Sequence, residues 1–382
     1  MRSIETAQIA NGTRVLLRAD FNVAVQNGKV VDDFRIRKTI ATLDFLKKKG
    51  ANVVMTSHIE NAAGVAGKPS LKPVVEALGG LGFLCRFAET MDEAAKISAS
   101  QASGFILLEN IRNYPGEAAN DPAFVAELAT LGDIYVNNAF SVSHRKHASI
   151  VGVPKLLPHF AGFQLSLEVE NLSKAFDPSH PFLFILGGAK FDTKLPLVKK
   201  FLDKADGIFI GGALANDFFK AKGLEVGMST VSTAPIDFDG LLPNDKIFLP
   251  NDLIADKAGQ QVTIAPDSIA TDEKVLDAGP KTLVLLKEKI DAAKFILWNG
   301  PLGNYENGYK EPTHELARMI AGATKGGVES IIGGGDTLAA IAELKQSGGE
   351  SLEDSFTFVS TGGGAMLDFL AQGTLPGIDA LA

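Results

Sequence analysis

The sequence predicts an α/β fold made of two doubly wound, parallel-sheet (Rossmann-like) domains. Short apolar runs alternate with stretches of helical periodicity, which is typical of βαβ units. Ten such runs are too many for one comfortable open sheet, and 382 residues are enough for about two domains. The predicted strands are Arg14–Arg18, Asn52–Met55, Phe105–Leu108, Ile134–Val136, Phe182–Leu186, Gly207–Ile210, Lys246–Leu249, Phe295–Trp298, Ser330–Ile332 and Phe356–Val359.

Helices are predicted between most of these strands, and one longer helix is predicted to join the domains. The alternation lapses over residues 152–160, which are rich in turn-forming residues. An amphipathic helix is then predicted over 161–176, and Asp177-Pro178 ends it. We expect this helix to join an N-terminal domain, 1–160, to a C-terminal domain, 177–365. The other predicted helices are Lys38–Lys49, Leu71–Leu78, Ala123–Leu131, Lys194–Ala205, Thr282–Ala293, Thr313–Ala323 and Thr337–Leu344.

Composition excludes several classes of protein. With 46% hydrophobic and 21% charged residues, the chain is not a disordered protein, a collagen or a coiled coil. A net charge of −8 argues against nucleic acid and anionic membranes as partners. The single cysteine, Cys85, excludes an intrachain disulfide and a cysteine-based zinc site. Because no apolar leader or 18-residue apolar stretch occurs, we expect a cytoplasmic protein.

Five glycine turns follow predicted strands in the C-terminal half. Open α/β sheets bind ligands at the carboxyl ends of their strands, and glycine lets backbone N–H groups approach phosphate oxygens. One such turn is most simply a tight connection, but five predict a phosphate or nucleotide site. No GxxxxGK[ST] or GxGxxG motif is present. The turns are Gly187-Gly188, Gly211-Gly212, Asn299-Gly300-Pro301-Leu302-Gly303, Gly333-Gly334-Gly335-Asp336-Thr337 and Gly362-Gly363-Gly364.

Two groups of charged residues accompany these turns. Lys190 and Lys194 share one face near a predicted helix N-terminus, where positive charge is unfavourable, so they indicate either a bound anion or a solvated pair. Asp336 is either an N-cap or a carboxylate facing Mg²⁺ beside nucleotide phosphates. In the N-terminal half, Arg35, Arg112, Arg145 and His58 lie near strand ends, where they either bind a small anionic metabolite or are solvated individually. His144 and His147 are equally consistent with structural roles.

Eight motifs resemble, in order and over essentially the whole chain, those of the phosphoglycerate kinase family. They are RADFNV at 18–23, LLENIR at 107–112, DIYVNNAFSVSHRKHAS at 133–149, FILGGAKFDTK at 184–194, DAGPKT at 277–282, WNGPLG at 298–303, GGGDT at 333–337 and STGGGA at 360–365. The resemblance implies reversible phosphoryl transfer between 1,3-bisphosphoglycerate with ADP and 3-phosphoglycerate with ATP. It also implies Mg²⁺ with the nucleotide, domain closure, a monomer, and a C-terminal segment, 366–382, that completes the N-terminal domain.

The resemblance further implies which residues act. Those expected to bind the glycerate are Asp20, Asn22, Arg35, His58, Arg112 and Arg145. Those expected to bind the nucleotide are Gly188, Lys190, Lys194, Gly212, Gly279, Asn299, Pro301, Glu306, Gly334, Gly335, Asp336 and Thr337, with Glu306 at the ribose and Asp336 at Mg²⁺. Arg35, Lys194 and Lys190 are the expected catalytic residues, because they would neutralise the transferring phosphoryl group.

The chain also departs from the family pattern. Glu60 and Asn61 replace a glycine and a substrate-binding arginine, so we expect weaker glycerate binding. Other departures are Ala24, Asn138, Ser141, Ala213 and Asn304-Tyr305. Two alternatives stay open at this point. One is a kinase-like scaffold that binds nucleotide but turns over slowly, and the other is a dehydrogenase or ligase, against which the GGGDT turn argues.

Overall fold

The chain forms two compact units. The structure, a computed structural model, describes residues 1–60, 67–189, 191–233, 235–344 and 351–382, except the side chains of residues 191–193. Unit 1 comprises Met1–Glu170 and Gln372–Ala382, and unit 2 comprises Asn171–Ala371. The C-terminal segment thus returns to the unit formed by the N-terminal residues.

Unit 1 is built on a parallel sheet of six strands. Its elements are β1 (Arg14–Arg18), β2 (Val25–Gln26), β3 (Lys29–Val30), α1 (Phe34–Lys48), β4 (Asn52–Thr56), α2 (Lys72–Gly80), β5 (Cys85–Ala88), α3 (Met91–Ala99), β6 (Gly104–Leu108), α4 (Pro115–Ala119), α5 (Pro122–Ala129), β7 (Ile134–Asn137), β8 (His159–Ala161) and α6 (Phe163–Ser173), which continues into unit 2. The strand order is β5-β6-β4-β1-β7-β8, and β2 and β3 form a separate antiparallel hairpin. The carboxyl ends of the six parallel strands therefore meet at one edge.

The core of unit 1 forms where helices cover this sheet. Every residue of β4 is buried, as expected for a parallel strand with both faces covered. Helix α1 buries Ile36, Leu43 and Leu46, whose spacing places them on one helix face, and they join a cluster with Val53 and Met55 of β4. Burial of such side chains contributes roughly 1.5–3 kcal/mol each.

Local sequence signals fix where two helices of unit 1 begin. The Thr90 hydroxyl accepts a hydrogen bond from the Glu93 amide at 3.2 Å, and the Asp121 carboxylate accepts one from the Phe124 amide at 2.9 Å. Both side chains therefore cap a helix N-terminus, α3 and α5 respectively, by satisfying amides that have no partner inside the helix.

Unit 2 contains a second six-stranded parallel sheet and a smaller antiparallel one. Its elements are β9 (Phe182–Leu186), α7 (Phe191–Phe201), β10 (Gly207–Ile210), α8 (Gly212–Ala221), β11 (Ile247–Phe248), β12 (Leu253–Lys257), β13 (Gln260–Ile264), β14 (Lys274–Ala278), α9 (Pro280–Ala292), β15 (Phe295–Asn299), α10 (Glu311–Lys325), β16 (Glu329–Gly333), α11 (Gly335–Ala342), β17 (Phe358–Val359) and α12 (Gly364–Gln372); α13 (Pro376–Asp379) follows in unit 1. The strand orders are β11-β10-β9-β15-β16-β17 and β13-β12-β14. The prediction of two parallel-sheet domains is thus confirmed.

Several strands were not predicted, for identifiable reasons. Strand β5 lies at a sheet edge and is only partly buried, so its sequence lacks an apolar run. Strands β12 and β13 are joined by Ala258 and Gly259, both with positive φ (52° and 82°). Glycine is usual in such a turn but alanine is not, so the hairpin lacks its common sequence signal. In the part of the chain that is described, no helix is long and apolar enough to cross a membrane.

The helix predicted over 161–176 begins two residues later than expected. Ala161 ends β8, and α6 starts at Phe163 because the amide of Gln164 donates to the Asn138 side-chain oxygen at 3.0 Å. After Ser173 the chain tightens into a 3₁₀ turn. One of the departures from the family pattern, Asn138, therefore has a structural role at the start of this helix.

Helix α9 is capped by a residue from a distant part of the chain. Asp252 precedes β12, and its carboxylate accepts hydrogen bonds from the amides of Lys281 and Thr282 at 3.0 and 2.8 Å. The Thr282 hydroxyl also lies 3.0 Å from this carboxylate. A Cβ at Gly279 would lie 2.5 Å from the nearer carboxylate oxygen, so only glycine leaves room for this contact.

We predict that Asp252→Ala destabilises unit 2, because two amides of α9 lose their acceptor. The expected loss in unfolding free energy is about 1–3 kcal/mol. Urea unfolding followed by the fluorescence of Trp298 reports on unit 2, since this single tryptophan is buried in β15. The control is Asp245→Ala at an exposed position. Equal unfolding curves for the two variants would contradict the capping role.

Candidate functional sites

The first candidate site is a cluster of cationic side chains at the carboxyl edge of the parallel sheet in unit 1. His58 follows β4, Arg112 follows β6, Arg145 follows β7, and Arg35 lies in the first turn of α1. Burial, together with the positive charges of Arg18, Arg112, Arg35 and Arg145, holds the pKa of His58 well below its ordinary value. The charges of the predicted arginines thus act on His58, which is neutral and only 2% exposed.

Asp20 is held in this cluster by three donors. Arg35 Nη1 donates to Asp20 Oδ2 at 2.7 Å, and the Ser141 hydroxyl donates to the same oxygen at 2.6 Å. The other carboxylate oxygen accepts the Asn22 amide at 3.2 Å. Ser141, which replaces the family's glycine, therefore adds a hydrogen bond that fixes Asp20 and, through it, Arg35.

Arg112 is engaged by one of the residues that depart from the family pattern. Its Nη1 donates to Glu60 Oε1, and the Glu60 amide donates to the Asn22 side-chain oxygen at 3.0 Å. Burial, and then the charges of Arg145 and Arg18, lower the pKa of Arg112 to about 10, so this guanidinium is still charged at neutral pH. Asn61 lies outside the described residues.

Arg145 is the exposed member of the cluster. Burial, and then the charge of Arg145, lowers the pKa of His147 to about 4, so His147 is neutral at physiological pH. The Glu117 carboxylate lies 3.8 Å from His147 Nδ1. This geometry places His147 beside the arginines rather than on the far side of the unit.

The second candidate site is a cavity of about 600 Å³ in unit 2, at the carboxyl edge of its parallel sheet. The glycine turns predicted from the sequence come together there. Predicted residues that line it are Gly188, Lys194, Gly212, Asn299, Pro301, Glu306, Gly334, Gly335, Asp336 and Thr337. Gly279 is not among the lining residues, since it packs against Asp252, and Lys190 lies outside the described residues.

Close backbone contacts between these turns explain why glycine is needed there. Gly212 has φ of +61°, and a Cβ there would lie 2.5 Å from the Gly188 amide nitrogen, so a side chain is excluded by conformation and by space. The Gly188 amide donates to the Pro301 carbonyl at 2.8 Å, which joins the turns after β9 and β15. Backbone at these turns therefore forms part of the cavity wall.

Among the described residues, Lys194, Lys274 and the start of α11 supply positive potential in this cavity. Lys194, in the first half of α7, is 6% exposed, and its ammonium group donates to the Gly187 carbonyl. The Thr337 hydroxyl accepts the Gly300 amide at 2.8 Å, which fixes the neighbouring turn. Because the first N–H groups of a helix have no partner within it, the N-terminus of α11 favours an anion.

The acidic residues that line the cavity, among those the structure describes, are Asp277, Glu306, Asp336 and Asp368. Asp336, in the first turn of α11, and Glu306 are both exposed and line it. Among the residues that the structure describes, no three His, Cys, Asp or Glu side chains converge as a metal site. The carboxylate of Asp336 is nevertheless an oxygen ligand of the kind that Mg²⁺ prefers.

Asp277 also lines the cavity, although the sequence interpretation did not include it. It is 2% exposed; one carboxylate oxygen accepts the Ala278 amide at 2.8 Å, and the other has no hydrogen-bond partner among the described residues. Burial raises its pKa to about 7. The available signal was an acidic residue at the end of a strand that precedes a glycine turn.

Comparisons with known proteins agree with this architecture. The family model described as phosphoglycerate kinase matches residues 4–373. The chain is 41% identical over 400 residues to phosphoglycerate kinase of Brucella melitensis biotype 1, covering 100% of this chain and 99% of that one. It is 40% identical over 390 residues to that of Dictyoglomus turgidum, covering 97% and 96%.

Solved structures give the same result. The phosphoglycerate kinase structure from Pyrococcus horikoshii OT3 matches with a TM-score of 0.85 and 28% identity, covering 100% of this chain and 98% of that one. The structure from Coxiella burnetii matches with a TM-score of 0.81 and 32% identity, covering 99% and 98%.

Fold and matches together define an α/β phosphotransferase that acts on small molecules. The chain belongs to the phosphoglycerate kinase family. It is an enzyme of glycolysis that transfers a phosphoryl group reversibly between 1,3-bisphosphoglycerate with ADP and 3-phosphoglycerate with ATP. A scaffold without turnover is not favoured.

We predict a pH-dependent stability difference between Asp277→Asn and the parent. The raised pKa means that the folded state holds the Asp277 proton more tightly than the unfolded chain does, so the parent loses stability as pH rises from about 4 to 7. Asparagine does not ionise. Between about pH 5 and pH 8 the variant should therefore gain about 2–3 kcal/mol relative to the parent. Urea unfolding followed by Trp298 fluorescence measures this, and parallel pH profiles would contradict it.

Proposed function

We propose that unit 1 binds 3-phosphoglycerate and 1,3-bisphosphoglycerate at its arginine cluster, and that unit 2 binds ATP and ADP in its glycine-lined cavity. The observation that carries this proposal is the set of arginines acting on His58. Guanidinium groups suit phosphate and carboxylate because they bind both with paired hydrogen bonds. The proposed glycerate ligands are Asp20, Asn22, Arg35, His58, Arg112 and Arg145.

The nucleotide assignment is supported by the wall of the cavity in unit 2. Backbone amides at glycine turns and the N-terminus of α11 are suited to phosphate oxygens. Glu306 is the proposed ribose ligand, and Gly279 keeps only an indirect role because it holds the start of α9 against Asp252. The proposed phosphate-binding and turn residues are Gly188, Lys190, Lys194, Gly212, Asn299, Pro301, Gly334, Gly335 and Thr337.

Transfer in this proposal is direct. A carboxylate oxygen of 3-phosphoglycerate attacks the γ-phosphorus of ATP, the bond from phosphorus to the β,γ-bridging oxygen breaks, and ADP leaves with that electron pair. No protein nucleophile takes part. Arg35, Lys194 and Lys190 neutralise the transferring group, and closure of the units on their ligands keeps water from the γ-phosphate.

Asp336 is the residue that we propose for Mg²⁺. Its exposed carboxylate beside the N-terminus of α11 fits a cation that arrives with nucleotide phosphates and keeps several of its waters. When bound, Mg²⁺ offsets phosphate charge. We further propose a monomeric, cytoplasmic enzyme without nucleic acid or membrane partners, in keeping with one cysteine and a net charge of −8.

Removal of the proposed catalytic charges should slow the reaction. Arg35→Ala and Lys194→Ala are each expected to lower kcat by about 10²–10³, because a preorganised charge at the transferring group is lost. The measurement is 3-phosphoglycerate-dependent conversion of ATP to ADP with Mg²⁺ present.

Two matched variants control for this test. Arg37→Ala removes an exposed arginine of α1 that pairs with Asp33, and Lys199→Ala removes a lysine of α7 that pairs with Asp237. Both should retain kcat. If Arg35→Ala and Lys194→Ala stay within a few-fold of the parent, or if ATP loss is unchanged without 3-phosphoglycerate, the proposed transfer is wrong.

Neutralising Glu60 should strengthen glycerate binding. Glu60 pairs with Arg112, and the substrate anion must displace its carboxylate. Because Glu60 is half exposed, the pair is worth at most about 1 kcal/mol, so Glu60→Gln should lower KM for 3-phosphoglycerate about two- to fivefold. KM for ATP should not change. Asp33→Asn, which neutralises the exposed partner of Arg37, is the control, and an unchanged KM in Glu60→Gln would count against displacement.

A further inference from the structure

Arg18 is a buried charge that the proposed mechanism does not use. It is the last residue of β1 and is 1% exposed. Its Nη1 donates to the Ala19 carbonyl at 2.5 Å, and its Nη2 lies 3.3 Å from His58 Nδ1. Burying a guanidinium without partners is very unfavourable, so these contacts are needed to keep it inside the unit.

The other side of Arg18 is held by a buried acid. Arg18 Nε donates to the Ser149 hydroxyl at 2.9 Å, and that hydroxyl donates to Glu117 Oε1 at 2.6 Å. The Ser149 amide donates to Glu117 Oε2 at 2.9 Å, and Glu117 is 1% exposed. The negative charge of Glu117 therefore compensates Arg18 through Ser149, and this network fixes the direction in which the guanidinium points.

The contact with His58 settles where the proton of the imidazole lies. A guanidinium carries donors only, so His58 Nδ1 must accept the hydrogen bond and cannot carry a proton. In a neutral ring the proton is then on Nε2. We propose that Arg18 is a positioning residue that fixes His58 as the neutral Nε2–H tautomer, and so makes it a hydrogen-bond donor within the arginine cluster.

The charges around His58 oppose its protonation. The groups that act on the ring are Arg18, Arg35, Arg112 and Arg145, all positive. The acids of the same cluster, Asp20 and Glu60, are engaged by Arg35 and Arg112. Protonation of Nδ1 would place an imidazolium against a guanidinium, which repulsion and burial both oppose.

This inference rests on the proposed function in one respect, the identity of the ligand. A neutral N–H donor adds a hydrogen bond to an anionic oxygen of the glycerate without adding charge to an already repulsive cluster. Binding of 3-phosphoglycerate should then show no step from titration of His58 in the neutral range.

The test is ¹⁵N NMR of the histidine side chains in the whole protein, without substrate. Two-bond ¹H–¹⁵N correlations distinguish the tautomers of each ring. We expect His58 in the Nε2–H form, with no titration between about pH 5 and 8. A proton on Nδ1, or an imidazolium at neutral pH, would overturn the proposal in the unmodified protein.

A variant pair then tests Arg18 itself. Arg18→Met with Glu117→Gln removes both buried charges together, so that neither is left uncompensated. We expect a mixture of tautomers at His58, a raised pKa of that ring, and a KM for 3-phosphoglycerate about two- to tenfold higher with KM for ATP unchanged. Arg14→Met, at the half-buried start of the same strand where Arg14 pairs with Asp133, is the control. A single Nε2–H tautomer that persists in the double variant would overturn the role of Arg18.

The position of the His58 proton and the contact of His58 with the glycerate are distinguished by separate measurements. Addition of 3-phosphoglycerate to the parent should shift the His58 Nε2 resonance. If the tautomer is as expected but the ligand leaves this resonance unchanged, His58 is not a glycerate donor and that part of the proposal falls. If the tautomer differs, Arg18 does not position His58, whether or not the glycerate binds there.

Discussion

Repulsion between like charges is the constraint on which the arginine site of unit 1 depends. Four guanidinium groups act on one imidazole, yet a cluster of uncompensated cations would be unstable in a folded chain. Three of them have an acidic partner within the unit. The pairs are Arg18 with Glu117 through Ser149, Arg35 with Asp20, and Arg112 with Glu60. An anion that binds there would replace a carboxylate that already partners an arginine, so the site does not have to form on binding.

The positive potential in unit 2 comes from different groups than in unit 1. Glycine turns contribute backbone to the wall of its cavity, and the described lysines that line it are Lys194, which donates to the Gly187 carbonyl, and Lys274. Amide dipoles at the N-terminus of α11 add positive potential without a cationic side chain. Because the chain carries a net charge of −8, attraction for an anion such as phosphate has to come from groups at the cavity itself, as in this arrangement.

Much of this could be predicted, and the exceptions have physical causes. Apolar runs in the sequence predict the parallel strands. Because these strands end at a common edge, Arg35, His58 and Arg112 are expected to lie close together, as they do. The orientation of Arg18 could not be predicted, because the sequence pattern at a strand end does not show whether the side chain points inward or outward. Nor does sequence reveal that Glu60 meets Arg112, 52 residues away. The burial that shifts the pKa of Asp277 likewise depends on tertiary packing.

The remote cap at α9 has a consequence for how unit 2 moves. Because the Asp252 carboxylate holds the amides of Lys281 and Thr282, β12 cannot separate from the helix without releasing both. We therefore expect the antiparallel sheet and the first turn of α9 to open together, as one cooperative foldon, and these amides to exchange with solvent at a shared rate. Strand β14 of that sheet places Asp277 in the wall of the cavity of unit 2. We expect the lifetime of this carboxylate bridge to limit how often that wall of the cavity loosens.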